Sequence, residues 1–378
     1  MKTYCFVTNL SIVDEPTVAN RLFPYIMESI NNKNKVILVS SDEKSIESFN
    51  SNLFTHILNP YQRNKYSSFL KRAMFEWFES RKVLKRVAKL DVDVVVITIP
   101  SMFLLFNASI LKEKMLYLDV RDLTWEYLPN KGIQLLAKLL FRVMFNMSYK
   151  LFNSIVVTNE AELEYFKLKK IDVLLYYNGV DFKQFQELST LPAKKNNNFV
   201  ISYIGKIGIA QNLEVLILAA EALENIEFNI VGYGSEYYKI ESLILNKGLK
   251  NVNLHRKVDW DKVLYFYQES DVLYAQLSEN FSGAVPSKLY QYLNTGKFVI
   301  YGGSGQACKV LSYFSNNIAI PSNNVEKLVS AIKAAKNLSD KGLNSNKNIE
   351  IIKNKYIREE NVRKVLQEWE GSNTDRIL

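Results

Sequence analysis

Ser282-Gly283-Ala284-Val285-Pro286-Ser287-Lys288-Leu289-Tyr290-Gln291-Tyr292-Leu293-Asn294-Thr295-Gly296-Lys297 sets a turn of small residues directly before an amphipathic helix. Such a turn leaves backbone N–H groups pointing at one spot. With the positive end of the helix dipole and the Lys288 ammonium, they suit a phosphate or diphosphate. A capped helix packed on a sheet would account for this stretch by itself. The sequel, Phe298-Val299-Ile300-Tyr301-Gly302-Gly303-Ser304-Gly305, is a buried-strand run that ends in a second glycine-rich turn on the same side of a sheet. Two convergent turns favour the anion site over the plain cap.

Working outward, residues 199–204, 227–231, 252–255, 272–275 and 298–301 are short apolar runs alternating with segments of helical period, the pattern of a doubly wound sheet. The same pattern opens the chain. Residues 4–8 read as a strand, 21–30 as a helix and 35–39 as the next strand, and the runs 92–97, 115–120 and 154–158 continue a parallel sheet covered on both faces. Between the two halves, residues 188–198 are rich in Lys and Asn with Pro192 and read as a linker. After Ser339 a polar stretch leads into a helix over about 349–370. The expected division is therefore 1–187, the linker 188–198, a second domain 199–348 and a terminal segment 349–378. No internal repeat of fixed period is present.

At 378 residues and 48% hydrophobic, the chain suits two domains of ordinary size and is not disordered. Two cysteines, Cys5 and Cys308, give neither a disulfide framework nor metal spacing, which points to a reducing compartment. The N-terminus has no long apolar core with a small-residue cleavage site, and no apolar stretch is long enough to span a bilayer. A cytoplasmic protein is the expectation. The net charge of +9 fits a nucleic acid, an anionic membrane surface or a phosphate-bearing substrate, and the excess leans toward the N-terminal half.

Three further stretches can carry chemistry. Tyr203-Ile204-Gly205-Lys206-Ile207-Gly208-Ile209-Ala210-Gln211-Asn212-Leu213 leaves a strand through glycines and enters a helix, so its N–H groups can approach phosphate oxygens with Lys206 as compensating charge. Val231-Gly232-Tyr233-Gly234 is a strand-end turn that lacks the third glycine of a dinucleotide fingerprint, which disfavours a hydride-transfer enzyme. Leu116-Tyr117-Leu118-Asp119-Val120-Arg121-Asp122-Leu123-Thr124-Trp125 ends a strand with three charged residues, an arrangement that is unfavourable in a sheet unless it lines a cleft or forms a structural salt bridge.

The run Val285-Pro286-Ser287-Lys288 to Gly296-Lys297, followed by Gly302-Gly303-Ser304-Gly305, resembles the donor-site signature of family-4 glycosyltransferases with the GT-B fold. The subgroup it is most similar to builds bacterial O-antigen, capsule and lipopolysaccharide-related polysaccharides. The Gly205-to-Leu213 segment and the Asn178-Gly179-Val180-Asp181 turn are similar to that subgroup as well. Three departures stand out: Gln291 where an acid is usual, Phe298 where proline is usual, and Gly283 where the wider family carries the first glutamate of its two-glutamate motif.

The resemblance implies two Rossmann-like doubly wound domains facing each other across a cleft, the first binding acceptor and the second binding nucleotide sugar. It implies that the terminal helix returns to the N-terminal domain. The activity implied is retaining transfer of a hexosyl or N-acetylhexosaminyl group from a nucleotide-diphosphate sugar, UDP-sugar favoured, to a lipid-linked oligosaccharide at the cytoplasmic face of the inner membrane. On the donor side, Lys206 and Lys288 are assigned to the diphosphate. Gly205, Gly208, Gln211, Gly232, Gly283, Ala284, Val285, Pro286 and Ser287 form the backbone around it. Tyr233 stacks on or covers the base, and Gln291 holds the ribose, since an amide can both donate and accept. On the other side, Arg121 steadies the leaving diphosphate, and Asp122 orients the acceptor hydroxyl or supports Arg121. Asp119 and Trp125 are the acceptor-binding candidates.

His56 and His255 are the only histidines and sit in no catalytic or metal spacing. Asp91-Val92-Asp93 and Asp259-Trp260-Asp261 imitate a metal-binding Asp-x-Asp pair, but the first precedes a buried strand and the second falls where a helix needs an N-cap. No metal or other cofactor is expected, the cations and helix N-termini neutralising the diphosphate instead. Residues 69–90 and 135–152 mix aromatic and aliphatic residues with Lys and Arg, compatible with interfacial helices on anionic lipid or with faces packed on a core. Nucleic acid is the weaker partner, because no recognition module is visible. A nucleotide-sugar 2-epimerase of similar fold and a non-catalytic nucleotide-sugar-binding protein are the alternatives.

Overall fold

In the computed structural model, β1 (Thr3–Val7) turns Cys5 and Val7 to one face of a sheet and Tyr4 and Phe6 to the other, and all four are buried. A strand covered on both faces is apolar throughout, as parallel sheets require. The structure describes residues 1–46, 49, 51–60, 69–99, 101–121, 123–128, 130–169, 171–195, 197–339 and 345–371. They form two compact units, Met1–Tyr177 with Arg358–Leu378, and Asn178–Ile357.

In the first unit β1 is joined by β2 (Lys35–Ser40), β3 (Phe54–Leu58), β4 (Val94–Ile99), β5 (Met115–Val120), β6 (Ser154–Val157) and β7 (Val173–Leu175). All pairs are parallel, in the order β3-β2-β1-β4-β5-β6-β7. One face is covered by α1 (Pro16–Asn31), which starts on a proline that has no N–H to leave unpaired. The other is covered by α2 (Phe69–Ala88), α3 (Met102–Phe106), α4 (Gly132–Ser148) and α5 (Glu160–Lys167). Asn159 caps α5, its side chain accepting from the Glu162 N–H at 3.0 Å, while the Glu162 carboxylate accepts from the Thr158 N–H.

The second unit begins where Gly179 passes the Tyr356 carbonyl so closely that a Cβ would lie 1.8 Å from its oxygen. Asp181 then caps α6 (Phe182–Ser189) by accepting from the Gln184 N–H at 2.7 Å. Six strands follow, β8 (Val200–Lys206), β9 (Glu227–Tyr233), β10 (Val252–His255), β11 (Val272–Gln276), β12 (Phe298–Gly302) and β13 (Asn317–Ile320). They pair in parallel in the order β10-β9-β8-β11-β12-β13. The helices are α7 (Glu214–Glu221), α8 (Tyr237–Lys247), α9 (Trp260–Glu269), α10 (Ser287–Asn294), α11 (Gln306–Leu311), α12 (Val325–Ser339) and α13 (Asn346–Lys355).

The helix expected over 349–370 is two helices, α13 and α14 (Arg358–Gly371). The break has a local cause. The Tyr356 carbonyl accepts from the Val180 N–H at 2.9 Å and Ile357 bridges to Val180, which commits this backbone to a neighbour outside any helix. α14 packs in the first unit on the α1 face, where Trp369 stacks on Tyr117 with ring centroids 4.2 Å apart and on Tyr25 at 5.6 Å. Both units are thus parallel-sheet Rossmann-like α/β domains.

Candidate functional site

In the second sheet β8 leads to β9 and β10 on one side, while β11, β12 and β13 lie on the other, so the switch of direction falls between β8 and β11. Ligands of open parallel sheets bind at such a point, beyond the carboxyl ends of the strands. Here the chain leaves β8 at Gly205-Lys206, β9 at Gly232-Tyr233, and enters α10 at Ser287-Lys288.

Lys288 ties these pieces together. Its ammonium lies 3.7 Å from the centroid of the Tyr203 ring and donates to the Tyr203 hydroxyl, and it fills the space a side chain at Gly205 would need, 2.8 Å from an added Cβ. The Tyr203 hydroxyl donates in turn to the Lys206 carbonyl. Burial pushes the Lys288 pKa well below the ordinary lysine range, because few dipoles there replace water around the charge. An anion brought to this point would have a cation, the Ser287 and Lys288 N–H groups of the first turn of α10, and the helix dipole to meet it.

Glycines let the backbones close in. At Gly232 a Cβ would sit 1.8 Å from the Gly205 oxygen, and at Gly234 one would sit 2.1 Å from the Ile207 oxygen. Gly305, with φ +74, comes within 2.1 Å of the Ser282 oxygen in the same sense, and the Gln306 N–H donates to that oxygen at 2.8 Å. The turn after β12 therefore holds the turn before α10, which brings together the two glycine-rich stretches read in the sequence. Ala284 is fixed by its N–H to the Phe281 carbonyl at 3.0 Å, while Gly283 and Ser287 are exposed and Val285 and Pro286 half-buried. Lys206 is exposed at the strand end, Gly208 accepts from the Gln211 N–H at 3.0 Å, and Tyr233 is 42% exposed with the Lys257 ammonium 5.5 Å from its ring. Gln291 is half-buried, its carbonyl accepting from the Tyr267 hydroxyl at 3.2 Å, which leaves the amide nitrogen as its donor.

Residues not anticipated from sequence build the frame of this site. The Tyr292 hydroxyl donates to the Ile204 carbonyl at 2.9 Å and accepts from the Ile204 N–H at 2.8 Å, locking α10 to the last turn of β8. Gln276 donates to the Gln211 and Asn212 carbonyls at 3.0 and 3.1 Å and accepts from the Tyr274 hydroxyl and the Asn323 N–H. The only hint is that a tyrosine in the α10 motif and a glutamine closing an apolar strand are polar groups in buried positions.

In the first unit Arg121 follows β5 and donates to the Thr17 hydroxyl at 3.0 Å. Asp122 lies outside the described residues. Asp119 and Trp125, expected at the acceptor, are instead interior. Asp119 is fully buried, accepting from the Arg21 guanidinium at 2.6 and 2.9 Å and from the Thr98 hydroxyl at 2.9 Å, and Trp125 stands against Phe145 with centroids 4.9 Å apart. The charge at the strand end serves an internal ion pair with α1. A cavity of about 590 Å³ opens in this unit beyond the ends of β1 and β2, among Ser11, Asp14, Glu15, Asp42 and Glu43.

Asp93 accepts from the Thr3 N–H at 2.7 Å, a local strand role. Asp259 stands at the N-cap of α9, as expected, although its side chain makes no capping bond. Among the described residues no group of three or more His, Cys, Asp or Glu is placed to hold a metal.

Comparison with known proteins agrees with this geometry. Residues 184–356, nearly all of the second unit, match the family model described as glycosyl transferases group 1, so the unit is a domain of that kind. No sequence among curated proteins matches the chain. Among solved structures, sucrose-phosphate synthase from Thermosynechococcus elongatus superposes with a TM-score of 0.76 at 13% identity, covering 99% of this chain and 100% of that one. Anabaena Alr3699/HepE in complex with UDP-glucose gives 0.72 at 14% identity over 98% and 100%. A glycosyltransferase from Rickettsia africae gives 0.67 at 15% identity over 98% of each chain. At these identities the likeness is one of fold, two Rossmann-like domains of the GT-B kind.

Proposed function

We propose that the protein is a retaining glycosyltransferase that moves a hexosyl or N-acetylhexosaminyl group from a UDP-sugar to a lipid-linked oligosaccharide, in the assembly of a bacterial surface polysaccharide at the cytoplasmic face of the inner membrane. The observation that carries the reading is Lys288, held at the Gly205 turn at the head of α10 on the switch point of a glycosyl transferases group 1 domain. Neighbours of the same fold have been solved with UDP-sugars, Anabaena Alr3699/HepE with UDP-glucose and an E. coli trehalose-6-phosphate protein with UDP-2-fluoro glucose. The lipopolysaccharide outer core galactosyltransferase WaaB shares the fold too.

In glycosyl transfer the sugar ring gains positive charge as the diphosphate leaves with negative charge. Groups preorganised on the diphosphate lower that barrier. Lys288, Lys206 and the Ser287 and Lys288 N–H groups at the head of α10 take this part, Gln291 holds the ribose through its free amide, and Tyr233 covers the base. Arg121 and Asp122 act from the first unit, and the cavity at the ends of β1 and β2 takes the acceptor sugar, whose hydroxyls Asp14, Glu15 and Glu43 can receive.

The test is a thermal-shift screen with UDP, GDP and their sugars, followed by donor hydrolysis without acceptor. A ligand that binds only the native state stabilises it, by about 2.7 kcal/mol at a hundred times its Kd. The expected result is a raised Tm with UDP and its sugars and slow release of UDP from one of them. No shift with any nucleotide would overturn the reading, and binding without hydrolysis or transfer would leave a nucleotide-sugar-binding protein.

A further inference from the structure

α4 is apolar on two faces, and the inner one packs Phe141, Met144 and the buried Phe145 on the core. Its Lys138 is buried, donating to the Glu126 carbonyl at 2.8 Å and to the Asn130 side chain at 3.2 Å, whereas Ile133, Leu136, Leu140, Val143 and Met147 face outward. These five recur at intervals of three and four, so they form one ridge along the helix. Leu136 is 67% exposed, Val143 56% and Met147 71%, values at which each side chain keeps most of its surface in water. A continuous apolar ridge of this kind on a monomer marks a surface that something covers.

The neighbourhood says what covers it. α2 and α4 both pack on α3 over the same face of the first sheet, through Trp77 against Phe103 at 6.0 Å and Phe103 against Phe141 at 6.3 Å. α2 exposes Met74 and Phe78 one turn apart, beside Lys71, Arg81, Lys82 and Lys85, with Lys89 just after the helix. Against these cations α2 carries two acids, Glu76 and Glu79, and Lys82 stands 4.0 Å from Glu79. A second copy of the chain, docked by a two-fold on the α4 ridge, would bring a second cationic α2 to the same interface and meet like charge. An anionic bilayer offers apolar depth to the ridge and counter-charge to α2. Among the described residues no helix is long and apolar enough to cross a membrane.

We infer that the α4 ridge of Leu136, Leu140, Val143 and Met147 inserts into the headgroup layer of an anionic lipid bilayer, with the cations of α2 beside it reading the surface charge. The inference names the docking face for the membrane-bound acceptor of the proposed function and rests on that reading for its purpose, but not for its geometry. Removing the ridge abolishes insertion, whereas removing the α2 cations abolishes only the preference for anionic lipid.

The experiment is co-sedimentation of the full chain with vesicles of phosphatidylcholine alone and of phosphatidylcholine mixed equally with phosphatidylglycerol, at low and high salt. It compares wild type with Leu136→Ser/Leu140→Ser/Val143→Ser and with Arg81→Gln/Lys85→Gln/Lys89→Gln. Wild type is expected to bind the anionic vesicles in a salt-sensitive way and the α4 variant to stay in solution. The α2 variant should bind the anionic vesicles roughly a hundredfold more weakly, from about fivefold per cation. Binding of the α4 variant at wild-type strength overturns the inference. So does a wild type that is dimeric by sedimentation equilibrium while the α4 variant is monomeric, which assigns the ridge to a second copy. UDP binding, measured on all three proteins, reports the donor reading separately: vesicle binding with no nucleotide binding sinks that reading and leaves this one standing.

Discussion

Lys288 is the residue on which the donor reading turns, and its surroundings carry a consequence for pH. With its ammonium enclosed against Tyr203, it has a proton affinity well below that of an ordinary lysine. A diphosphate at Gly205 and the head of α10 restores the charged form, since an opposite charge within a few ångströms raises a lysine pKa. Binding therefore takes up protons between the two pKa values, and affinity strengthens as pH falls through that window. Calorimetry of UDP binding in two buffers of different ionisation enthalpy should show net uptake in wild type and none in Lys288→Met. The variant should also lose about 1.5–3 kcal/mol of binding, the worth of a charged hydrogen bond. Equal proton exchange in both proteins would remove Lys288 from the site. Lys288 and its glycines were legible because the signal is local, a turn followed by a helix start. Tyr292 and Gln276 were not, because what they hold is distant in the chain, Tyr292 on Ile204 being a contact between residues 88 apart. Asp119 misled for the same reason, its partner Arg21 lying 98 residues away.

At the scale of elements, the strands that escaped the sequence reading are β3, β7 and β13, and each is the edge of its sheet. These strands are mostly half-buried, β3 and β13 carry polar residues in their runs and β7 is only three residues long, so none shows the longer buried apolar run that revealed β4 or β11. The α4 face was read only as a mixture of basic and apolar residues, because composition does not say which way a helix turns; the bonds of Lys138 settle that. β3 also carries a titratable element. The His56 ring is buried, its Nδ1 accepting from the Ile46 N–H at 3.2 Å, with Nε2 2.7 Å from the Ser40 hydroxyl, and burial pushes its pKa down from 6.5. The folded state thus keeps His56 neutral where the unfolded chain takes a proton, so stability falls as pH drops below about 6.5, the unfolded imidazole value. His255 shares the direction. Asp42 beside His56 enters only in stronger acid. Burial would raise its carboxyl, but bonds from Ser11, Ser40 and the Val13 and Ile12 N–H groups outweigh that and hold it low. Urea unfolding at pH 7.5 and pH 5 is expected to show a loss in wild type that shrinks in His56→Gln. A loss of the same size in both proteins would clear His56 of the effect.

The whole molecule is organised by a chain that passes between its two units twice, after Tyr177 and after Ile357. Its doubly wound halves were readable because each alternates short buried runs with segments of helical period. The return of the last helix was expected from the family resemblance alone, since nothing in residues 358–371 names the surface it covers; that surface is made by Tyr117 and Tyr25, stacked on Trp369 from residues far upstream. Trp369 is buried along with Val362, Val365 and Leu366, so this helix supplies core to a unit whose other members end at Tyr177. Trp369→Ala removes the largest of those side chains and leaves a cavity, an exchange that destabilises by about 3–5 kcal/mol in a packed core. Because the second unit has its own core, the loss should fall on one unfolding transition and spare the other. Differential scanning calorimetry in the presence and absence of UDP separates them: UDP raises the transition of the second unit, and Trp369→Ala lowers the remaining one. If a single transition moved with both the substitution and the nucleotide, the two units would unfold as one, and the separate core attributed to α14 and the first sheet would have to be given up.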